Sequence, residues 1–182
     1  MSKDKLHPPE ILETPRLRLR PVEAADAQTI FDTYANDPQV TRFATWVPHA
    51  AIAETVRYLE ACEIAWREGT AFPWAVIRKS DGKLIGSAEL RIDGHKAGIG
   101  YLIARPLWGQ GYATEAARAL VDWAFAQPAI YRVWGMCDAE NLASARVLEK
   151  AGLVFEARIQ RWQRRPGFDG QPRDVLFFAR VK

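Results

Sequence analysis

In this 182-residue chain, Trp108-Gly109-Gln110-Gly111-Tyr112-Ala113-Thr114-Glu115 is the stretch best suited to hold a ligand. Two glycines one residue apart allow a tight turn and let main-chain N–H groups approach a ligand with no Cβ in the way. Apolar or small residues follow at Ala116, Ala117, Leu120, Val121, Ala124 and Phe125, the pattern of one buried helical face. Arg118 and Asp122 fall on the other side, and Pro128 ends the run. A glycine loop opening a helix offers unpaired N–H donors and the positive end of the helix dipole, which suit a phosphate or pyrophosphate. Two phosphate motifs are excluded. A P-loop requires Lys-Ser/Thr after its last glycine, where Tyr112-Ala113 stand, and the dinucleotide fingerprint requires a third glycine, where Thr114 stands. An ordinary loop before an ordinary helix remains the alternative.

Other residues able to do chemistry are few. Asn141 and Ser144 are three apart at the start of a second helical pattern, so they can share a face. Taken alone, they are an N-cap and a first-turn polar residue. Glu89 lies on a strand pattern and could act as a general base directly or through water, or be a cross-strand charge. Glu115 is placed to stabilise a helix N-terminus. Arg42 to His49 is an aromatic loop holding Phe43 and Trp46, either a core cover or part of a ligand pocket. Cys62 and Cys137 lack metal or redox spacing and fit reduced cysteines of a cytoplasmic protein. His7, His49 and His95 are scattered, so no metal is expected. Arg158, Arg161, Arg164 and Arg165 around Trp162 could touch nucleic acid, but a strand with a solvated face explains them and no nucleic acid is expected.

Composition frames these residues. A hydrophobic share of 48% and a charged share of 26% are those of a globular protein, and no apolar run reaches a membrane span. The net charge of +3 suits a ligand carrying several phosphates. Residues 1–10 are polar and read as a flexible leader, with a single domain over 11–182. Alternation at Leu17-Arg18-Leu19-Arg20 predicts a strand, and Glu23 to Tyr34 a helix closing at Asn36-Asp37-Pro38. A second helix is supported by Ile52, Val56, Leu59, Ile64 and Trp66. Strands are predicted over 72–78, 84–92 and 97–104, joined by turns at Asp81-Gly82 and Asp93-Gly94. After the glycine loop and its helix come a strand over 132–137, a helix from Asn141 ending at Ala151-Gly152, and strands over 153–162 and 175–181. Between the last two, residues 165–172 form a loop rich in Pro and Gly. This order predicts an α/β (α+β) fold, a mixed, mainly antiparallel sheet of about seven strands flanked by about four helices.

The glycine loop resembles motif A of the GNAT superfamily of acetyl-CoA-dependent N-acetyltransferases, written Gln/Arg-x-x-Gly-x-Gly/Ala. Gly111-Tyr112-Ala113 match its second half, while Trp108 stands where Gln or Arg is usual. The variant Trp-Gly-x-Gly-Tyr-Ala-Thr-Glu-Ala is similar to the bacterial ribosomal-protein N-terminal (alanine/serine) acetyltransferase branch. Asn141 to Gly152 resembles motif B, Asn-x-x-Ser-x-x-Val/Leu-x-x-Lys-x-Gly-Phe, with Leu153 in place of the phenylalanine. The resemblance runs from about Leu17 to the C-terminus and implies the same fold.

It also implies a set of roles. Acetyl-CoA is the cosubstrate, its pyrophosphate over Gly109, Gln110, Gly111, Tyr112, Ala113 and Thr114. Main-chain N–H groups of Tyr101, Leu102 and Ile103 take the acetyl carbonyl and pantetheine arm. Asn141 binds that arm or orders a water, and Ser144 assists the departing sulfur. Glu89 is the candidate base, because the family's glutamate positions hold Gly98 and Gln163 here. Phe43 and Trp46 border the acceptor. The acceptor is an amine, a protein or peptide N-terminus first, with an amino acid, polyamine or aminoglycoside as alternative. A non-catalytic acetyl-CoA-binding module is a third reading, and monomer and homodimer both stay open.

Overall fold

The computed structural model describes residues 6–182. Eight strands of the described residues form one sheet: β1 (Leu12–Glu13), β2 (Leu17–Pro21), β3 (Phe72–Arg78), β4 (Leu84–Asp93), β5 (Lys96–Ile103), β6 (Arg132–Asp138), β7 (Val154–Arg164) and β8 (Pro172–Val181). Their spatial order is β1-β2-β3-β4-β5-β6-β8-β7, and every neighbouring pair is antiparallel except β5 with β6. Among the described residues, five α-helices accompany them: α1 (Ala27–Ile30), α2 (Pro38–Thr41), α3 (Ile52–Glu68), α4 (Tyr112–Ala126) and α5 (Leu142–Lys150). None is long and apolar enough to cross a membrane. The mixed, mainly antiparallel sheet is the one predicted, with one more strand and one more helix. Both additions, β1 and α2, are too short for periodicity to reveal.

Alternation along β3 shows how the sheet is covered. Phe72, Trp74 and Val76 pack with Ala116, Leu120 and Val121 of α4, whereas Ala75 between them packs with Ile30, Tyr34 and Leu59. Successive strand residues face opposite sides, so the two sides carry different helices. The buried face of α4 is the predicted one, and Arg118 and Asp122 are exposed.

Other helices depart from the pattern. The single helix expected over 23–34 is a 3-10 turn (Ala24–Asp26), α1 and a π turn (Phe31–Ala35). Asp26 accepts from Arg20 at 2.7 Å through each carboxylate oxygen and from the Glu23 N–H at 2.9 Å, which tightens that first turn. Asn36-Asp37-Pro38 closes it and also opens α2, since Asp37 accepts from the Gln39 N–H at 2.8 Å and Pro38 has no N–H to leave unpaired. On α3, Thr55, Leu59 and Cys62 are buried while Ile52, Val56 and Ile64 face outward. Residues 6–10, expected as leader, lie against the core: Leu6 packs on it, Pro8 is buried, and Trp74 Nε1 donates to the Glu10 carbonyl at 2.9 Å. Residues 1–5 lie outside the described residues.

Candidate active site

Strands β5 and β6 pair only at Lys96–Arg132, Ala97–Val133 and Gly98–Trp134, and beyond Gly98 they have no register in common. A Cβ on Gly98 would stand 2.8 Å from the Trp134 ring, which itself stacks on Phe177 at 5.1 Å. The indole therefore fills the space in which a side chain at position 98 would start, and a glutamate has no room there.

Hydrogen bonding to β4 decides which main-chain groups of β5 face the opening. The Ala104 N–H donates to the Ile85 carbonyl at 2.8 Å, and the Leu102 carbonyl lies where a Cβ on Gly86 would collide with it. Leu102 thus directs its main chain toward β4. By antiparallel alternation, Tyr101 and Ile103 direct theirs the other way. The Ile103 carbonyl already accepts from Trp108 Nε1 at 2.7 Å.

A cleft of about 410 Å³ lies at this opening. Its lining brings together Glu89, Tyr101, Leu102, Asn141, Ser144, Phe43 and Trp46 from the predicted site. Ile103 is buried and does not line it, nor do Gly109 to Thr114, which form the glycine loop and the first turn of α4. Gln163 is also outside, paired with Arg173 in the β7–β8 hairpin. Ser144 joins Tyr101 and Asn141. Its hydroxyl lies 2.8 Å from the Tyr101 hydroxyl, which also reaches the Ser144 carbonyl at 3.0 Å. Burial pushes the Tyr101 phenol well above its ordinary value, so it stays protonated and can donate. Burial likewise pushes the Cys137 thiol up to about 11, against a hydrogen bond with Ser144. Asn141 caps α5, its Oδ1 accepting the Ser144 N–H at 3.1 Å, so its amide NH2 is the group left for a ligand. Glu89 projects from β4 across from Gly100, with Arg91 Nε at 2.5 Å from its carboxylate.

The glycine loop has the predicted backbone. Gly109 and Gly111 take φ of +76° and +84°, a conformation side chains disfavour, and Gly111 is the N-cap of α4. Glu115, however, does not act on the helix end alone. Its carboxylate accepts from Thr14 Oγ1 at 2.6 Å, from the Arg16 N–H at 2.8 Å and from Arg16 Nε at 2.6 Å. Burial opposes its charge, but the Thr14 and Arg16 bonds win and hold it below the usual carboxylate range. Arg16 also donates to the Gln110 carbonyl at 3.0 Å and stacks on Tyr112 at 4.5 Å, placing a cation beside the loop.

At the other end, Arg165 departs from the solvated reading of its cluster. Arg158, Arg161 and Arg164 are exposed, but Arg165 is 5% exposed and lines the cleft. It donates to the Phe43 carbonyl, joining loop 165–172 to the aromatic loop. Phe43 and Phe168 meet at 5.4 Å, and Arg173 stacks on Phe168 at 3.8 Å. Beneath them, buried Asp138 holds Arg173 through both oxygens, at 2.6 and 3.0 Å. Neither Arg16 nor Arg165 carries a local sequence signal, since their partners lie about 100 or more positions away.

Comparison with known proteins fits this geometry. The family described as acetyltransferase (GNAT) domain matches residues 16–154. The protein YkkB of Bacillus subtilis (strain 168) is 33% identical over 84% of this chain and 90% of its own. The N-acetyltransferase p20 of Bacillus licheniformis is 27% identical over 95% and 97%. Among solved structures, the ribosomal L7/L12 α-N-protein acetyltransferase RimL in complex with coenzyme A superposes with a TM-score of 0.84 at 20% identity, covering 94% of this chain and 98% of its own. That likeness shows a shared fold. With the family match spanning most of the chain, and with the glycine loop and parted strands in place, the protein belongs to the GNAT acetyltransferase family.

Proposed function

We propose that this acetyl-CoA-dependent N-acetyltransferase moves the acetyl group to the α-amino group of a protein or peptide N-terminus, by direct attack in a ternary complex. The observation that carries the proposal is the meeting of Tyr101, Ser144 and Glu89 in one cleft where β5 and β6 part. In this reading the pyrophosphate lies over the N–H groups of Gly109 to Thr114, with Arg16 alongside. The Tyr101 N–H receives the carbonyl oxygen as it gains charge, a fixed donor of the kind that contributes about 2.7–4 kcal/mol, and the Ile103 N–H, farther along the strand, is left for the pantetheine arm. The amine nitrogen attacks the thioester carbon and the C–S bond breaks. Glu89, directly or through water, takes the amine proton, and the sulfur leaves as a thiolate that accepts a hydrogen bond from the Ser144 hydroxyl, whose oxygen lies 2.8 Å from the Tyr101 hydroxyl. Asn141 steadies the pantetheine arm, while Phe43 and Trp46 border the acceptor.

The choice of an α-amine rests on the base. Glu89 shares its carboxylate with Arg91, and the alternative glutamate position is closed by Trp134. An α-amine with a pKa of about 7.8 is neutral roughly one time in seven at pH 7, a lysine amine at about 10.4 roughly once in 2,500. That gap is worth about 3.5 kcal/mol and favours the acceptor that needs less help. RimL, which shares the fold, acts on a protein α-amine by its name. Thiol release from acetyl-CoA should be measured against peptides with free N-termini, N-blocked lysine peptides and polyamines. Turnover on free N-termini is expected, and faster turnover on blocked lysine peptides or polyamines would overturn the reading.

A further inference from the structure

Two arginines line the cleft, in different states. Arg91 is exposed and paired with Glu89. Arg165 is buried, its guanidinium carries five donors, and among the described residues it makes one hydrogen bond, from Nη1 to the Phe43 carbonyl. Its Nε is buried without a hydrogen-bond partner. Asp138 does not make up the deficit: its Oδ2 stands 3.4 Å from Arg165 Nε, outside hydrogen-bond geometry, and both its oxygens are held by Arg173. Arg173 is held in turn by Glu140 at 2.8 Å. A buried cation with an unmatched buried donor is costly, and the guanidinium retains donors that a ligand in the cleft could engage. The guanidinium plane favours an oxyanion able to accept two parallel bonds. With Asp138 alongside, a singly charged carboxylate suits the position better than a phosphate dianion.

Resting on the acceptor reading above, we propose that Arg165 anchors a carboxylate-binding subsite in the acceptor end of the cleft, so that the preferred acceptor carries an acidic side chain at or next to the N-terminus being acetylated. Phe43, backed by Phe168, walls this end, and the Arg165–Phe43 hydrogen bond sets the guanidinium in place. A charged hydrogen bond of this kind discriminates acid from amide by about 10- to 100-fold.

The test compares peptides beginning with Asp or Glu at the first or second position against the same peptides with Asn or Gln. Turnover is read as kcat/KM, and binding to the coenzyme A-loaded enzyme by calorimetry. Wild-type protein should favour the acid peptides by at least about tenfold in both readouts, and Arg165→Gln should bring the ratio near one. Free amino acids against their amides form a second arm: a preference there, without one among the peptides, places the carboxylate on the α-carbon of a free amino acid and overturns the acidic side chain as its source. Acid-selective, Arg165-dependent binding without turnover would uphold the subsite and sink the N-terminal reading. Equal turnover of acid and amide peptides would uphold that reading and overturn the subsite. A preference that survives Arg165→Gln, or no binding of any of these acceptors, would also overturn it. The wild-type comparison stands even if the variant fails to fold.

Discussion

At the glycine loop, the groups offered to a ligand sit within a few consecutive residues, Gly109 to Thr114, held by two left-handed glycines and the start of α4. At the end proposed for the acceptor, Phe43, Asp138 and Arg165 come from three separate stretches and meet only through long-range contacts. Each end also has a carboxylate that ties distant segments together. Glu115 ties α4 to Thr14 and Arg16 near the surface, while Asp138 ties the end of β6 to Arg173 of β8 and lies beside Arg165 in the interior. The contrast teaches where each function draws its rigidity. The glycine-loop end, proposed for the cosubstrate, depends on local backbone conformation, and the end proposed for the acceptor on a buried charge cluster that local sequence does not encode.

Substitution at the two carboxylates breaks or sharpens that contrast. Asp138→Asn should have the larger effect, a loss of about 3 kcal/mol, because it leaves two inward-facing arginines without their buried counter-charge. Chemical denaturation measures this, and acceptor KM should rise while acetyl-CoA KM changes little. A loss no larger than that for a surface pair would erase the distinction. Glu115→Gln should cost less, about 1 kcal/mol, since Arg16 is half-exposed and water screens the pair. Its kinetic signature should be the reverse, a raised KM for acetyl-CoA through a displaced Arg16. The pH dependence adds a smaller, graded effect. Both carboxylates sit below their ordinary range in the folded protein, so their stabilisation is full above the unfolded values of about 4 and is lost as pH falls through the folded ones. Wild-type protein should therefore weaken steeply below about pH 4, and each variant should show a shallower slope there.

Legibility in the sequence divides along the same line. The β-hairpins, α4 with its buried face, and the Asn141 cap were readable because each depends on neighbours within one turn or one hairpin. So was the pairing of Gly109 with Gly111, whose positive φ requires glycine. The broken first helix was not, because Arg20 pulls Asp26 out of a regular pattern. Nor was the outward turn of Ile52, Val56 and Ile64, where tertiary packing overrides periodicity. The glutamate missing at Gly98 was visible as a gap, but its cause, the Trp134 ring, lies on another strand. The Tyr101–Ser144 hydroxyl pair spans 43 positions, so only the serine was singled out for proton chemistry. Arg165 looked like one more arginine of a solvated strand until its contact 122 positions away was placed.

The most direct test of the central claim, that acetyl transfer takes place where β5 and β6 part with Ser144 donating a hydrogen bond to the departing sulfur, is the effect of Ser144→Ala on each kinetic constant. A fixed donor to charge that develops only in the transition state contributes about 100-fold or more, so kcat should fall by about that factor while acetyl-CoA binding, measured by calorimetry, stays within a few-fold of wild type. Equal losses in turnover and in acetyl-CoA affinity would make Ser144 a binding residue. Unchanged kcat would place the chemistry elsewhere and contradict the account.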